Sequence, residues 1–386
     1  MLNATRDLVL PTTITGSYPR PTWFTEGLRG RGFKDALGDS AFREQYFDAA
    51  ACLMREQERA GLDIVSDGDA RFDLTVGGRS WFFYPLERLR GITGHVDRTS
   101  AGGWGALRPG HILYEVQEAW QPPILGERVE AGPLDYAALF KVAQRFSERP
   151  VKFGAISAQT LAKMLVNRHY ATERELILDL ADIFNAELRA VAAAGCRVIQ
   201  VEEPRHHISG ADGTASDADL QFFTDAINRE IKGVETEVWL HTCWGNPNQQ
   251  PLHWIRPSYE RALPYLLQTN ADVISLECAS TGGRDLPLLG KYRTDKKIAI
   301  GVVSHTTAAV EPPQVVADLI RRALEWVPPE RLILSTDCGF GREGLARRIA
   351  FYKCVAINLG ANIVRRELKL PEVPIPAADP RWTFAG

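Results

Sequence analysis

Nowhere along the 386 residues do about 18 apolar residues follow one another, so no segment has the pattern of a membrane-spanning helix. An excess of charge is also missing. The 45 Lys and Arg against 48 Asp and Glu leave a formal net charge of -3, which recruits neither nucleic acid nor anionic lipid. Cysteine is sparse and irregularly spaced: Cys52, Cys196, Cys243, Cys278, Cys338 and Cys354 form no disulfide framework, and a chain this long can bury its own core, so reduced thiols are expected. The N-terminus, MLNATRDLVLPTT, has no basic region followed by a long apolar stretch, which reads as a cytoplasmic protein. Internal repeats, low-complexity tracts and linkers are absent as well, so residues 1–386 are expected to form a single domain.

What is present is a series of eight short β-rich runs alternating with helical periodicity. They are VLPTTITGSYP from Val9, DIVSDGDA from Asp63, PVKFGAISA from Pro150, CRVIQVEEP from Cys196, EVWLHTCWG from Glu237, DVISLECAS from Asp272, KIAIGVVSH from Lys297 and RLILSTDCGF from Arg331. This alternation predicts an α/β fold, a (β/α)8 TIM barrel. The clearest helix runs from about Glu173 to Ala194: Thr172 and Glu175 make a capping box, Gly195 supplies the stop, and Leu176, Leu180, Phe184, Leu188 and Val191 share one face. A second runs from Pro312 to Trp326, ended by Pro328-Pro329. The stretch from about 77 to 148 is rich in Gly, Trp and Tyr with weak periodicity, and is expected as an insertion after the second strand. It reads as a lid over the mouth or as an interface.

Four residues suited to a metal fall near the ends of three of these runs: His241 and Cys243, two apart and so on one side of a strand, Glu277 after VISL, and Cys338 in STDCGFG. Each has an ordinary explanation. A His-x-Cys pair can simply be packed, a strand-end carboxylate can sit in a salt bridge, and a thiol can be buried. Their convergence at strand ends favours joint ligation of zinc.

The elements TITGSYP, DGDARF, IQVEEP, HTCWGNP, ISLECAS and STDCGFG occur in an order that resembles the C-terminal catalytic barrel of cobalamin-independent methionine synthase, in a short single-barrel form, over nearly the whole chain. The resemblance implies zinc held by His241, Cys243, Glu277 and Cys338. It also implies Ser17, Asp69 and Glu202 around the carboxylate and amine of homocysteine, with the lengths of the two acids exchanged relative to the usual pattern. His305, in GVVSHTT, resembles a family histidine near the methyl donor and would give a proton to the leaving group; a satisfied hydrogen-bond bridge is the alternative. Cys278 is expected to be structural. A plainer account of Asp67, Asp69, Glu202 and Glu203 is that they are solvated or paired with Arg71 or Arg205, but their place at the expected active face favours the functional reading.

Zinc with an exchangeable position lowers the pKa of a thiol and holds it as a nucleophile, so thiol alkylation suits this donor set better than hydrolysis. The expected partners are a small-molecule thiol, homocysteine or coenzyme M, and an alkyl donor. No nucleic acid or membrane partner is expected, and a homo-oligomer is left open. GAISAQTLAKML from Gly154 stands where methionine synthases carry Gly-Pro-x-Thr and an aromatic that helps hold the folate, so the donor is not identified. Epoxyalkane:coenzyme M transferases resemble the zinc pattern equally, and Arg20, Arg71 or Arg342 would then meet a sulfonate. The third alternative is a non-catalytic zinc-binding or thiol-sensing protein.

Overall fold

Six of the eight runs fold as neighbouring parallel strands in a computed structural model, which describes residues 1–70, 84–96, 122–244, 258–341 and 345–382. They are β3 (Lys152–Ile156), β5 (Val198–Glu202), β6 (Glu237–Thr242), β7 (Val273–Leu276), β8 (Lys297–Val303) and β9 (Leu332–Thr336), in that order across the sheet. All five pairings are parallel. The α/β expectation with a parallel sheet therefore holds.

The first two runs contribute single bridges rather than strands. Thr12 bridges Leu334 of β9 and Val65 bridges Val151 beside β3, both in parallel. Between them the Asp63 and Ile64 amides donate to the Thr12 carbonyl at 3.0 and 3.1 Å, so hydrogen bonds run from β9 through both segments to β3 and complete the circuit. The shortening has a local cause. Leu10 has φ +50° and Gly16 φ +61°, and Pro11 has no N–H to donate, so only Thr12–Thr15 can stay extended.

Inside the circuit, alternation places Val198, Gln200 and Glu202 of β5 on one face. Gln200 is opposite Trp239 and Glu202 opposite His241 of β6. Ala4, Ile64, Val198, Trp239, Val273, Ala299 and Ile333 form a small apolar layer beneath the polar groups. The larger core lies between the sheet and its helices. Helix α1 (Ser40–Arg59), α2 (Glu173–Ala193), α3 (Pro204–Ala211), α4 (Asp217–Glu230), α5 (Pro313–Leu324) and α6 (Arg347–Glu367) supply most of that cover. In α2 the Thr172–Glu175 capping box is formed and the predicted stripe is buried. Each such fully buried Leu or Phe contributes about 2 kcal/mol.

The expected insertion at 77–148 falls partly outside the described residues. Its described part contains β1 (Arg90–His95), antiparallel to β2 (Pro123–Glu130), and a helix over Tyr136–Ala143. The short β4 (Val166–Asn167), after β3, adds in parallel to β2. No helix among the described residues is long and apolar enough to cross a membrane.

Candidate metal and substrate site

Three of the four predicted metal ligands meet. His241 at the end of β6, Cys243 just beyond it and Cys338 just after β9 are buried, and their donor atoms lie within 4.8 Å of one another. The two sulfurs are 3.3 Å apart, which is far longer than a disulfide, and neither cysteine is disulfide-bonded. Ligands of a tetrahedral zinc with bonds of about 2.3 Å to sulfur sit roughly 3.8 Å apart, so this pocket of two thiols and an imidazole fits such an ion with a small outward movement. His241 Nδ1 is 3.2 Å from Ser275 Oγ on β7, an outer partner of the kind that fixes a ligating ring.

Glu277 is placed in an adjoining buried group with His305 and Asp337, whose ligand atoms are likewise within 4.8 Å of one another. Its carboxylate accepts from the Trp244 amide at 2.8 Å and from the Ser280 hydroxyl. The two groups adjoin in sequence, since Asp337 precedes Cys338.

Several residues that hold these groups are not apparent from the motifs. Asp337 is fully buried and its oxygens accept the amides of Cys278, Ala279 and Ser280 at 2.8, 2.8 and 2.6 Å. Burial pushes its pKa up to about 6, against the pull of those donors. Gly301 of β8 makes room for it: a Cβ there would lie 2.0 Å from an Asp337 oxygen. Behind Cys243, the His207 ring lies 4.6 Å from Trp244 and 5.1 Å from Tyr259 between ring centroids. His207 Nε2 is 2.8 Å from the Cys243 carbonyl oxygen, and the Tyr259 hydroxyl donates to the Thr242 carbonyl at 2.9 Å. Burial drives His207 down to about 3, so the neutral ring serves as a donor that fixes the ligand loop.

Of the predicted substrate residues, Ser17 and Glu202 lie beside the cluster, and Asp69 ends a turn that is tied to the Ser17 loop. Ser17 accepts at its carbonyl from the Phe340 and Gly341 amides at 2.7 and 3.1 Å, directly after Cys338. Gly339 permits this, because a Cβ there would sit 2.5 Å from the Ser17 nitrogen. Tyr18 then donates to the Gly68 carbonyl at 2.9 Å, which ties the first loop to the Asp67–Asp69 turn. Asp69 has φ +55°, an unusual conformation for a non-glycine residue, and faces Gly154 of β3. Glu202 ends β5 with Oε2 3.6 Å from His241 Nε2.

Other candidates have local duties. Glu203 caps α3, accepting the His206 amide at 2.8 Å, and receives the Ser157 hydroxyl. Arg205 pairs with Glu173 at 2.6 Å. The Arg20 guanidinium stacks 3.6 Å over the Phe24 ring and donates to the Glu26 carbonyl at 3.0 Å. Cys278 is buried and burial holds its thiol well above its ordinary pKa, in keeping with a structural role. Arg71 and Arg342 lie outside the described residues.

Comparison with known proteins gives a consistent pattern. The model of the cobalamin-independent synthase catalytic domain matches residues 102–353. A methionine synthase of Saccharolobus solfataricus is 29% identical over 361 residues, covering 94% of this chain and 96% of that protein. One from Sulfurisphaera tokodaii is 29% identical and covers 94% of each. The solved structure of a B12-independent methionine synthase from Shewanella sp. W3-18-1, in complex with selenomethionine, superposes with a TM-score of 0.75 at 25% identity, covering 94% of this chain and 99% of that one. A putative B12-independent methionine synthase from Listeria monocytogenes shares the fold with a TM-score of 0.63 at 20% identity, covering 92% and 99%.

Proposed function

We propose, from the premise that this chain belongs to the cobalamin-independent synthase family, that it is a zinc-dependent methyltransferase acting on the thiol of homocysteine. The observation that carries this reading is the buried His241–Cys243–Cys338 cluster. On this reading the parallel sheet is a (β/α)8 barrel with an insertion near 77–148, and the cluster sits at the C-terminal ends of its strands, where such barrels do their chemistry.

His241, Cys243 and Cys338 would hold the ion, with Glu277 as the fourth protein ligand after it exchanges the Trp244 amide or the Ser280 hydroxyl for the metal. Zinc, when bound, supplies a Lewis acid that lowers the pKa of a substrate sulfhydryl at its exchangeable position. The remaining work belongs to the chain. Ser17, beside the turn after Cys338, is assigned to the amino acid carboxylate, and Asp69 and Glu202 to its ammonium group. These contacts orient the sulfur toward the donor. His305, held beside the Glu277 and Asp337 carboxylates, donates a proton to the departing group. Two carboxylates near the amine position support homocysteine over coenzyme M, which has no amine for them to meet, and Arg20 is engaged within its own loop.

Metal analysis of the purified protein, followed by cobalt substitution, tests the proposal. Homocysteine should produce a thiolate-to-cobalt absorption band and coenzyme M should not. Cys338→Ser should lower metal content severalfold and reduce turnover at least 1,000-fold, because a hydroxyl is a far poorer ligand than a thiolate. A folded protein that takes up no metal, or a metal-free C338S variant with full activity, overturns the reading.

A further inference from the structure

An ammonium group lies inside the ring of strands, directly below the carboxylates assigned to the substrate amine. Lys152 of β3 is 3% exposed and its Nζ donates to the Ile14 carbonyl at 2.5 Å and to Gln200 Oε1 at 2.7 Å. It also lies 4.7 Å from the centroid of a Trp239 ring, the favourable face for a cation. Gln200, only 1% exposed, passes the contact on: its Nε2 donates to Glu202 Oε1. A buried lysine at an inward strand position is costly unless charge of the opposite sign compensates it. Burial does draw Lys152 down to about 7, and the fields of Glu202 and Asp69 oppose that fall. Both candidate amine-binding acids are therefore electrostatically linked to this one cation.

We infer that Lys152 is a positioning residue for substrate recognition, which acts through Gln200 to orient the Glu202 carboxylate toward the ammonium group of an amino acid thiol. This rests on the reading of Asp69 and Glu202 as the amine site. The amide of Gln200 has a fixed sense in the arrangement: its oxygen is taken up by Lys152, which leaves its NH2 to face Glu202. Without the ammonium below, the amide can turn over and present its oxygen to the carboxylate, a repulsive contact that would displace Glu202. The lysine touches none of the three clustered metal donors, whereas Glu202 lies 3.6 Å from His241 Nε2, so metal content is measured beside thiol selection to separate the two effects.

The test compares homocysteine with 4-mercaptobutyrate, the same thiol lacking the amine, in the metal-loaded wild type and in Lys152→Met and Gln200→Leu. Calorimetric Kd values and KM and kcat are measured for each pair, alongside metal content and a thermal melt. Wild type should prefer homocysteine strongly. Both variants should weaken homocysteine binding at least tenfold, change 4-mercaptobutyrate binding less than threefold, and keep their metal and most of kcat at saturation. A relay role is overturned if either folded variant retains the wild-type preference, or if both thiols weaken equally. If Lys152→Met does not fold, Gln200→Leu alone decides, since it severs the same relay with the lysine in place. A wild type that treats both thiols alike overturns the amine-site reading itself, and this inference with it.

Discussion

His206 is fully buried at the start of α3, packed against Phe223 with 5.9 Å between ring centroids and 3.2 Å from the Thr224 hydroxyl through Nε2. Burial lowers its pKa from 6.5 to about 4. Between those values only the unfolded chain takes up the proton, so the contribution of this ring to stability is present above pH 6.5 and is lost as pH falls toward 4. The advantage of wild type over His206→Gln in urea unfolding should therefore shrink by about 3 kcal/mol between pH 7.5 and pH 4. An advantage that stays constant over that range would contradict the assignment. The legibility of the site also differs residue by residue. His241, Cys243 and Cys338 were readable because each belongs to a residue type that seldom ends an apolar strand without purpose, and the structure brings them together. Lys152 and Gln200 carried a weaker signal, namely polar side chains at inward positions of otherwise apolar strands. Asp337 was hidden for a different reason: its partners are backbone amides of Cys278–Ser280, some 57 to 59 positions away, and no side-chain motif records them.

Among the elements, α2 was the most legible, since its cap, stripe and stop are all local. The Thr172 hydroxyl accepts the Glu175 amide at 3.3 Å, Glu175 returns the contact to the Thr172 amide at 3.3 Å, and Gly195 has φ +97°. Replacing Thr172 by Ala should cost about 1 kcal/mol in chemical denaturation, with turnover and metal content unchanged, because the cap is exposed and serves only the helix end. Strands were harder. The six later runs are bounded by turns and become β3 and β5–β9, whereas the first two have the right composition but lack room to pair. Pro11 and the left-handed Leu10 and Gly16 limit the first, and the turn at Gly68–Asp69, with φ +66° and +55°, ends the second. Composition reports which residues suit a sheet, but the extent of pairing depends on neighbours that are distant in sequence.

At the scale of the molecule, side chains make up for the brevity of the first two segments. The Asp63 carboxylate accepts the Thr12 amide at 2.8 Å and the Thr12 hydroxyl at 2.9 Å, and it faces the buried guanidinium of Arg365 on α6 at 3.7 Å. Asn358 of the same helix is 3.0 Å from the Thr12 hydroxyl and donates to the Ala60 carbonyl at 2.9 Å. The last long helix thus braces the place where the beginning of the chain completes the circuit. Asp63→Ala removes the acceptor for two hydrogen bonds and the counter-charge for Arg365, and should lower the unfolding free energy by about 2–4 kcal/mol. An effect below about 0.5 kcal/mol would mean that backbone pairing alone holds the junction. The parallel sheet was readable from β-rich runs alternating with helical periodicity, but this bracing depends on partners about 50 and 300 to 350 positions apart.

A circuit with six strands of continuous ladder and two single-bridge segments has a clasp. Opening it would detach residues 11–13 and 63–65 while β5 to β8 remain paired on both sides. In deuterium exchange the amides of Thr13 and Val65 should lose protection well before those of Leu240 and Ile274. Because the clasp leads directly into the Ser17 loop and the Asp67–Asp69 turn, and pairs with β9 just before Cys338, a fluctuation there would loosen the proposed substrate residues together with Cys338, while His241 and Cys243 on the opposite arc stay in place.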